Sequence, residues 1–141
     1  MKNKRIDNVE CYCLKIRRTA GNVINFYNNI LKPSGITVRQ YSLLSGISYQ
    51  EPCSISELAA RTELDRSTLA RSIKSLQYQN LIIDIKKTGS RDSQLILTEQ
   101  GKDICKRAEI LWEKAQKEFE QKLTVGQIKS LNDILITLQS I

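Results

Sequence analysis

Cys11 and Cys13 stand two residues apart in "VECYCLKIRR", with Lys15, Arg17 and Arg18 close behind. Thiols beside cations suit three kinds of chemistry. A thiolate stabilised by the basic residues is a nucleophile or peroxide sensor. Thiols from two subunits would hold a soft metal or an arsenical. A cysteine on an apolar face is simply a small hydrophobe. The chain has no histidine, which removes the usual general base and the mixed Cys/His zinc sites. No cofactor and no metal site are expected, and catalysis is disfavoured. With four cysteines and no secretory h-region after "MKNKRIDNVECYCLKIRR", the expected compartment is the cytosol and the expected state is free thiol. No apolar run reaches the roughly 18 residues of a membrane span.

The second group of chemistry-bearing residues lies in "SISELAARTELDRSTLARSIKSLQYQNLI". On a helical wheel for residues 66–78, Leu69, Ile73 and Leu76 fall on one side. Arg66, Ser67, Thr68, Arg71, Lys74, Ser75 and Tyr78 fall outside or on the flanks. Guanidinium and hydroxyl groups on an exposed helix suit base edges and phosphates. Arg71 is placed to fork onto a guanine, and Ser67 and Thr68 to meet bases or phosphates. Ser54 and Ser56, opening the preceding helix, suit phosphate contacts through hydroxyls and free N–H groups. Arg91, in "TGSRDS", would enter a minor groove. The net charge of +7 over 141 residues agrees with an anionic partner, nucleic acid before all others.

The elements that position these groups follow from periodicity and caps. Residues 7–31 predict a helix, with Val9, Cys13, Ile16, Ala20, Val23, Tyr27 and Ile30 on a heptad seam. Cys11 and Cys13 would then lie about 200° apart on the wheel, unable to share a metal or close a bridge. A second helix is predicted from Thr37 to about Tyr49, with Tyr41, Leu44 and Ile47 inward. Ser54 with Glu57 forms a capping box, and Cys53 and Leu58 a hydrophobic staple. Asp65 caps the helix of residues 66–78, stapled by Leu64 and Leu69. Ile83 and Ile85 alternate with Asp84 and Lys86, and "QLILT" resumes strand character, so a hairpin follows the helix-turn-helix. Thr98 caps a long helix to about Lys122, striped by Ile104, Ala108, Leu111, Ala115 and Phe119. Thr124 with Gln127 caps the last, carrying Ile128, Leu131, Leu135 and Leu138.

The fold class is therefore mainly α with a small β-hairpin wing, a winged helix-turn-helix that dimerises through its N- and C-terminal helices. The chain reads as one unit, residues 1–141. Residues 7–31 and 98–141 supply the dimerisation helices, and residues 36–97 the DNA-binding region. The terminal helices carry more apolar stripe than one such domain covers, and a symmetric homodimer would cover it.

The segments "LKPSGITVRQYSLL", "SISELAARTELDRSTLARSIKSL", "NLI" before the hairpin and "LTEQG" after it resemble the MarR family of dimeric winged-helix transcriptional regulators. "CYCLKIRR" and "ILWEKAQ" are similar to a branch with C-x-C in its first helix. The resemblance implies an inverted-repeat double-stranded DNA operator and release by a small aromatic or oxidant effector. It also places Cys13 at the sensor position of the organic-hydroperoxide branch. Tyr27 matches one of the two supporting phenols, and Val38 stands where the second would be. The aromatic-anion crevice of the family would be lined by Arg17, Arg18, Tyr27, Tyr41 and Trp112. The family's Asp-x-Arg wing motif departs here to Gly89, Ser90 and Arg91, with Asp92 the substitute brace. Two other readings stay open: a winged-helix protein-interaction module, and a thiol peroxidase using Cys13.

Overall fold

The computed structural model describes residues 11–62 and 64–141. Among them six α-helices, a short 3-10 helix (Lys32–Ser34, after α1) and one hairpin follow in the order α1 (Tyr12–Leu31), α2 (Val38–Tyr49), α3 (Ile55–Thr62), α4 (Arg66–Tyr78), β1 (Ile82–Asp84), β2 (Leu95–Leu97), α5 (Glu99–Gln121) and α6 (Val125–Gln139). The local signals explain these boundaries. Thr37 and Thr124 each close a reciprocal capping box, with Gln40 and Gln127. Asp65 and Thr98 accept the N–H groups of Thr68 and Gly101. Ser54 Oγ accepts the N–H of Glu57 at 3.0 Å. Each cap satisfies an N–H that the first helical turn leaves orphaned.

The core is built where α2, α3, α4 and the hairpin meet. Leu44, Ile47, Leu58, Leu69, Leu76, Leu81 and Leu95 are all fully buried there. Burial of one such side chain stabilises by about 1.5–3 kcal/mol. This cluster fixes α4 on its apolar side and leaves its other side to solvent. β1 and β2 pair antiparallel, Ile82 against Leu97 and Asp84 against Leu95. A backbone bridge from Cys53 to Leu95 hooks the hairpin to the segment before α3. Ser93 Oγ adds a second hook by accepting the Ile55 N–H at 2.9 Å.

Three expectations are revised. The strand signal of Ile83 and Ile85 is off by one residue. Ile82 is buried while Ile83 and Ile85 point outward, because pairing with Leu97 and the Cys53 bridge set the inward phase. The first helix opens at Tyr12, with Cys11 as an extended N-cap at φ −91°, ψ 111°; residues 7–10, and Val9 with them, lie outside the described residues. Cys13 is exposed and Cys11 half-buried, the reverse of their expected order; Leu31 is the residue of α1 that is buried, so a place on the helix seam does not by itself carry Cys13 into a core.

The apolar surplus at the termini is real. Ile16 and Ile24 of α1 and Ile134, Leu135 and Leu138 of α6 are exposed, and α6 buries none of its residues.

Candidate nucleic-acid interface

A groove of about 400 Å³ runs between the start of α3, the outer side of α4 and the hairpin. It brings together Ser54, Ser56, Arg66, Lys74 and Arg91, five residues from three separate segments. Lys86 and Gln77 join them. Neither was singled out from sequence, although Lys86 sits on the strand-and-loop segment whose Arg91 was. Its basic neighbour on the hairpin was the available signal.

Most hydroxyls expected to face a ligand are engaged within the fold. Ser67 Oγ and Thr68 Oγ1 both donate to the Asp65 carboxylate, each at 2.8 Å. With the Thr68 N–H, these bonds hold the Asp65 carboxyl down at about 2, below the ordinary carboxylate value. Thus Ser67 and Thr68 build the cap that starts α4. Ser56 Oγ accepts from the Arg66 guanidinium at 3.0 Å. At the start of α3, the N–H groups of Ile55 and Glu57 are taken by Ser93 and Ser54. Arg71, Lys74 and Tyr78 stand exposed along α4.

At the hairpin, Asp84 Oδ1 accepts the N–H groups of Lys86 (3.0 Å) and Gln94 (2.9 Å), closing the base of the loop. Gly89 turns the tip at φ +89°, a conformation glycine adopts without a Cβ clash. Arg91 is exposed. Asp92 does not brace it: among the described residues the ion pairs are Lys102–Glu99, Arg107–Asp103 and Lys114–Glu118.

The residues considered for an effector separate into two places. Tyr27 and Trp112 line a second cavity of about 460 Å³ between α1, α5 and α6, together with Gln116, Phe119, Glu120 and Leu135. The Tyr27 hydroxyl donates to Gln116 Oε1, and burial followed by the Glu120 carboxylate pushes its pKa up. Tyr41 lies behind, buried, its ring 5.9 Å from that of Trp112. Arg17 and Arg18 are exposed on the first half of α1 and are not part of this cavity, whose one charged lining residue among those described is Glu120. Cys13 and Tyr27 sit fourteen residues apart on one helix, about 21 Å at 1.5 Å per residue. They do not meet within a subunit. With Cys11 outside the helix, the wheel separation from Cys13 no longer keeps the two thiols apart.

Cys53 and Cys105 are placed structurally. Cys53 is buried and receives the Arg61 guanidinium at 2.8 Å. Burial raises its pKa against the lowering effect of Arg61. Burial, then Glu109, raises that of Cys105. No group of three metal-ligating side chains occurs among the described residues, and no helix there is long and apolar enough to cross a membrane.

Residues 34–88 match the model of the MarR family. The HTH-type transcriptional regulator SarZ of Staphylococcus epidermidis is 33% identical over 93 residues, 65% of this chain and 63% of SarZ. The aligned part of the chain thus spans under two thirds of that relative's length. The transcriptional regulator MosR of M. tuberculosis, solved in complex with DNA, superposes with a TM-score of 0.79 at 30% identity, covering 93% of this chain and 96% of MosR. A mutant MarR from E. coli, solved with operator DNA, shares the fold with a TM-score of 0.77 at 22% identity, over 87% of this chain and 89% of that one.

Proposed function

We propose that this chain, which belongs to the MarR family of winged-helix regulators, acts as a homodimeric transcriptional repressor on double-stranded DNA. It works by binding, not catalysis, and in the cytosol. The observation that carries this reading is the groove in which Arg66, Lys74, Lys86 and Arg91 converge around α4. Four cations beside an exposed helix suit the phosphates that flank a major groove wide enough to admit that helix. Each subunit sets α4 in one half-site of an inverted repeat, the half-sites about 10 bp apart. The exposed apolar faces of α1 and α6 are the dimer contact, with residues 36–97 forming the DNA-binding region. The DNA-bound regulator MosR and its 30% identity over nearly the whole chain support the partner.

Release follows from a shift in the distance between the two α4 helices. Two triggers fit the dimer end of the molecule: oxidation of Cys13, exposed in the first turn of α1, or of Cys11, half-buried at its N-cap, and a small aromatic ligand beside Tyr27 and Trp112. A contact between Cys13 and a Tyr27 phenol has to form across subunits.

The deciding experiment is fluorescence anisotropy on the DNA upstream of its own gene, first reduced, then after cumene hydroperoxide, then after added thiol. Tight binding lost on oxidation and restored by thiol supports an oxidant-released repressor. Binding indifferent to oxidant moves the effector to the Tyr27–Trp112 cavity. Weak binding with no salt dependence sinks the DNA-binding reading and leaves a protein-interaction module.

A further inference from the structure

We infer that Arg66 is a clamp for a backbone phosphate, and that Ser56 is the positioning residue that aims it. This deepens the DNA-binding reading above and rests on it. Arg66 is the first residue of α4, where the positive end of the helix dipole opposes a cation. A side chain there for stability alone would be acidic. Nor is the charge neutralised by any carboxylate among the described residues. The ion pairs among the described residues involve other arginines and lysines. The adjacent Asp65 directs one carboxylate oxygen to Ser67 and the Thr68 N–H, and the other to Thr68 Oγ1.

What holds Arg66 is a neutral group. Its Nη2 donates to Ser56 Oγ at 3.0 Å, across from α4 to α3. A hydroxyl fixes the direction of the guanidinium while leaving its full charge and its remaining N–H donors for another acceptor. A carboxylate at position 56 would have cancelled the charge. The pair sits where the two helices of the helix-turn-helix begin, on the groove shared with Lys74, Lys86 and Arg91. In such a motif the first helix crosses the sugar–phosphate backbone, and the Ser56 bond draws the Arg66 guanidinium to the start of that helix, whereas Arg71, more than a turn further along α4, is free to reach toward base edges. A phosphate is an anion that a guanidinium grips with paired N–H bonds. Ser56 therefore acts through Arg66 and not on the DNA itself.

The test is a double-mutant cycle read as salt dependence. Wild type, Ser56→Ala, Ser56→Thr, Arg66→Ala and the double variant are titrated by anisotropy onto the upstream duplex and onto a duplex of unrelated sequence, from low to moderate KCl. Both positions are exposed, and circular dichroism melting confirms that each variant is folded. Arg66→Ala is expected to weaken both duplexes by a similar factor and to reduce the slope of log K against log salt by about 0.9, the value for one phosphate. Ser56→Ala is expected to weaken binding severalfold with Arg66 present and not at all once Arg66 is alanine. Ser56→Thr, which keeps the hydroxyl, is expected to restore wild-type binding. Equal losses for Ser56→Ala in both backgrounds, or an unchanged slope in Arg66→Ala, would overturn the assignment while DNA binding stands. Failure of the wild type to bind either duplex overturns both.

Discussion

Gly101→Ala tests how α5 is joined to the turn that follows α4. In an open helix the change gains up to about 1 kcal/mol from propensity. Here the added Cβ would lie 2.0 Å from the Leu81 carbonyl oxygen and 2.9 Å from its carbon. The backbone has to part by about 1.4 Å to restore an ordinary contact of about 3.4 Å. That movement strains the bonds made there by Thr98, whose N–H donates to Leu81 O at 3.0 Å and whose Oγ1 donates to Asn80 O at 2.8 Å. Losing both costs about 2 kcal/mol, and overpacking adds about 1–3 kcal/mol. After the propensity gain, the net is a destabilisation of roughly 2–4 kcal/mol. Gly21→Ala is the control. Gly21 is mid-helix in α1 with nothing within 4 Å of an added Cβ, so it keeps the gain of about 1 kcal/mol. Urea unfolding followed by circular dichroism, at one fixed protein concentration because a dimer's stability depends on it, compares the two. A Gly101→Ala protein as stable as wild type would refute the claim that this contact fixes α5 against the turn after α4. A folded but weakened variant should also bind DNA less tightly, since the same turn sets the direction of α4.

Arg71→Ala should cost about 1–3 kcal/mol of operator binding and relax selectivity at a single base pair. Competition with single-base-pair variants reads this, and an equal loss on every sequence would make Arg71 a phosphate contact. The Asp65 carboxyl titrates near 2 in the folded chain, below the unfolded value of about 3.9. The cap's contribution is therefore full above about pH 4 and is lost as pH falls through about 2. Asp65→Asn should flatten this part of the acid unfolding curve, and an identical curve would show that the cap carries no pH-dependent stability. Cys53, buried with a raised pKa, should resist iodoacetamide in the native protein and react in urea. Peptide mass spectrometry follows the adduct, and native labelling as fast as that of Cys13 would contradict the packing.

Much of the fold was legible because its signals are local. Asp65, Thr98 and the Thr–Gln and Ser–Glu boxes need only the next three residues to cap a helix. Helix α4 therefore runs Arg66–Tyr78 in the structure, as its cap and its Leu69, Ile73 and Leu76 spacing predict. The groove was partly legible for the same reason. Arg66 and Lys74 share one outer face of α4, and both line it.

What the neighbours decide was not legible. The phase of β1 depends on Leu97 and on the Cys53 bridge, so Ile82 turns inward although the alternation runs through Ile83 and Ile85. Residue types mark Ser56, Ser67 and Thr68 as contacts for a ligand, and only the packed chain shows that they also bond Arg66 and Asp65. The effector residues show the limit most clearly, since Arg17 and Arg18 are separated from Tyr27 by turns of one helix that a list of residue types does not measure. The amino-acid sequence by itself determined the helices, their caps, the apolar surplus at both ends and the basic face of α4, because each depends on residues within a turn or two. The tertiary structure decided which hydroxyls are free, which strand face is inner and which cations converge, because those depend on groups brought close only after the chain has packed.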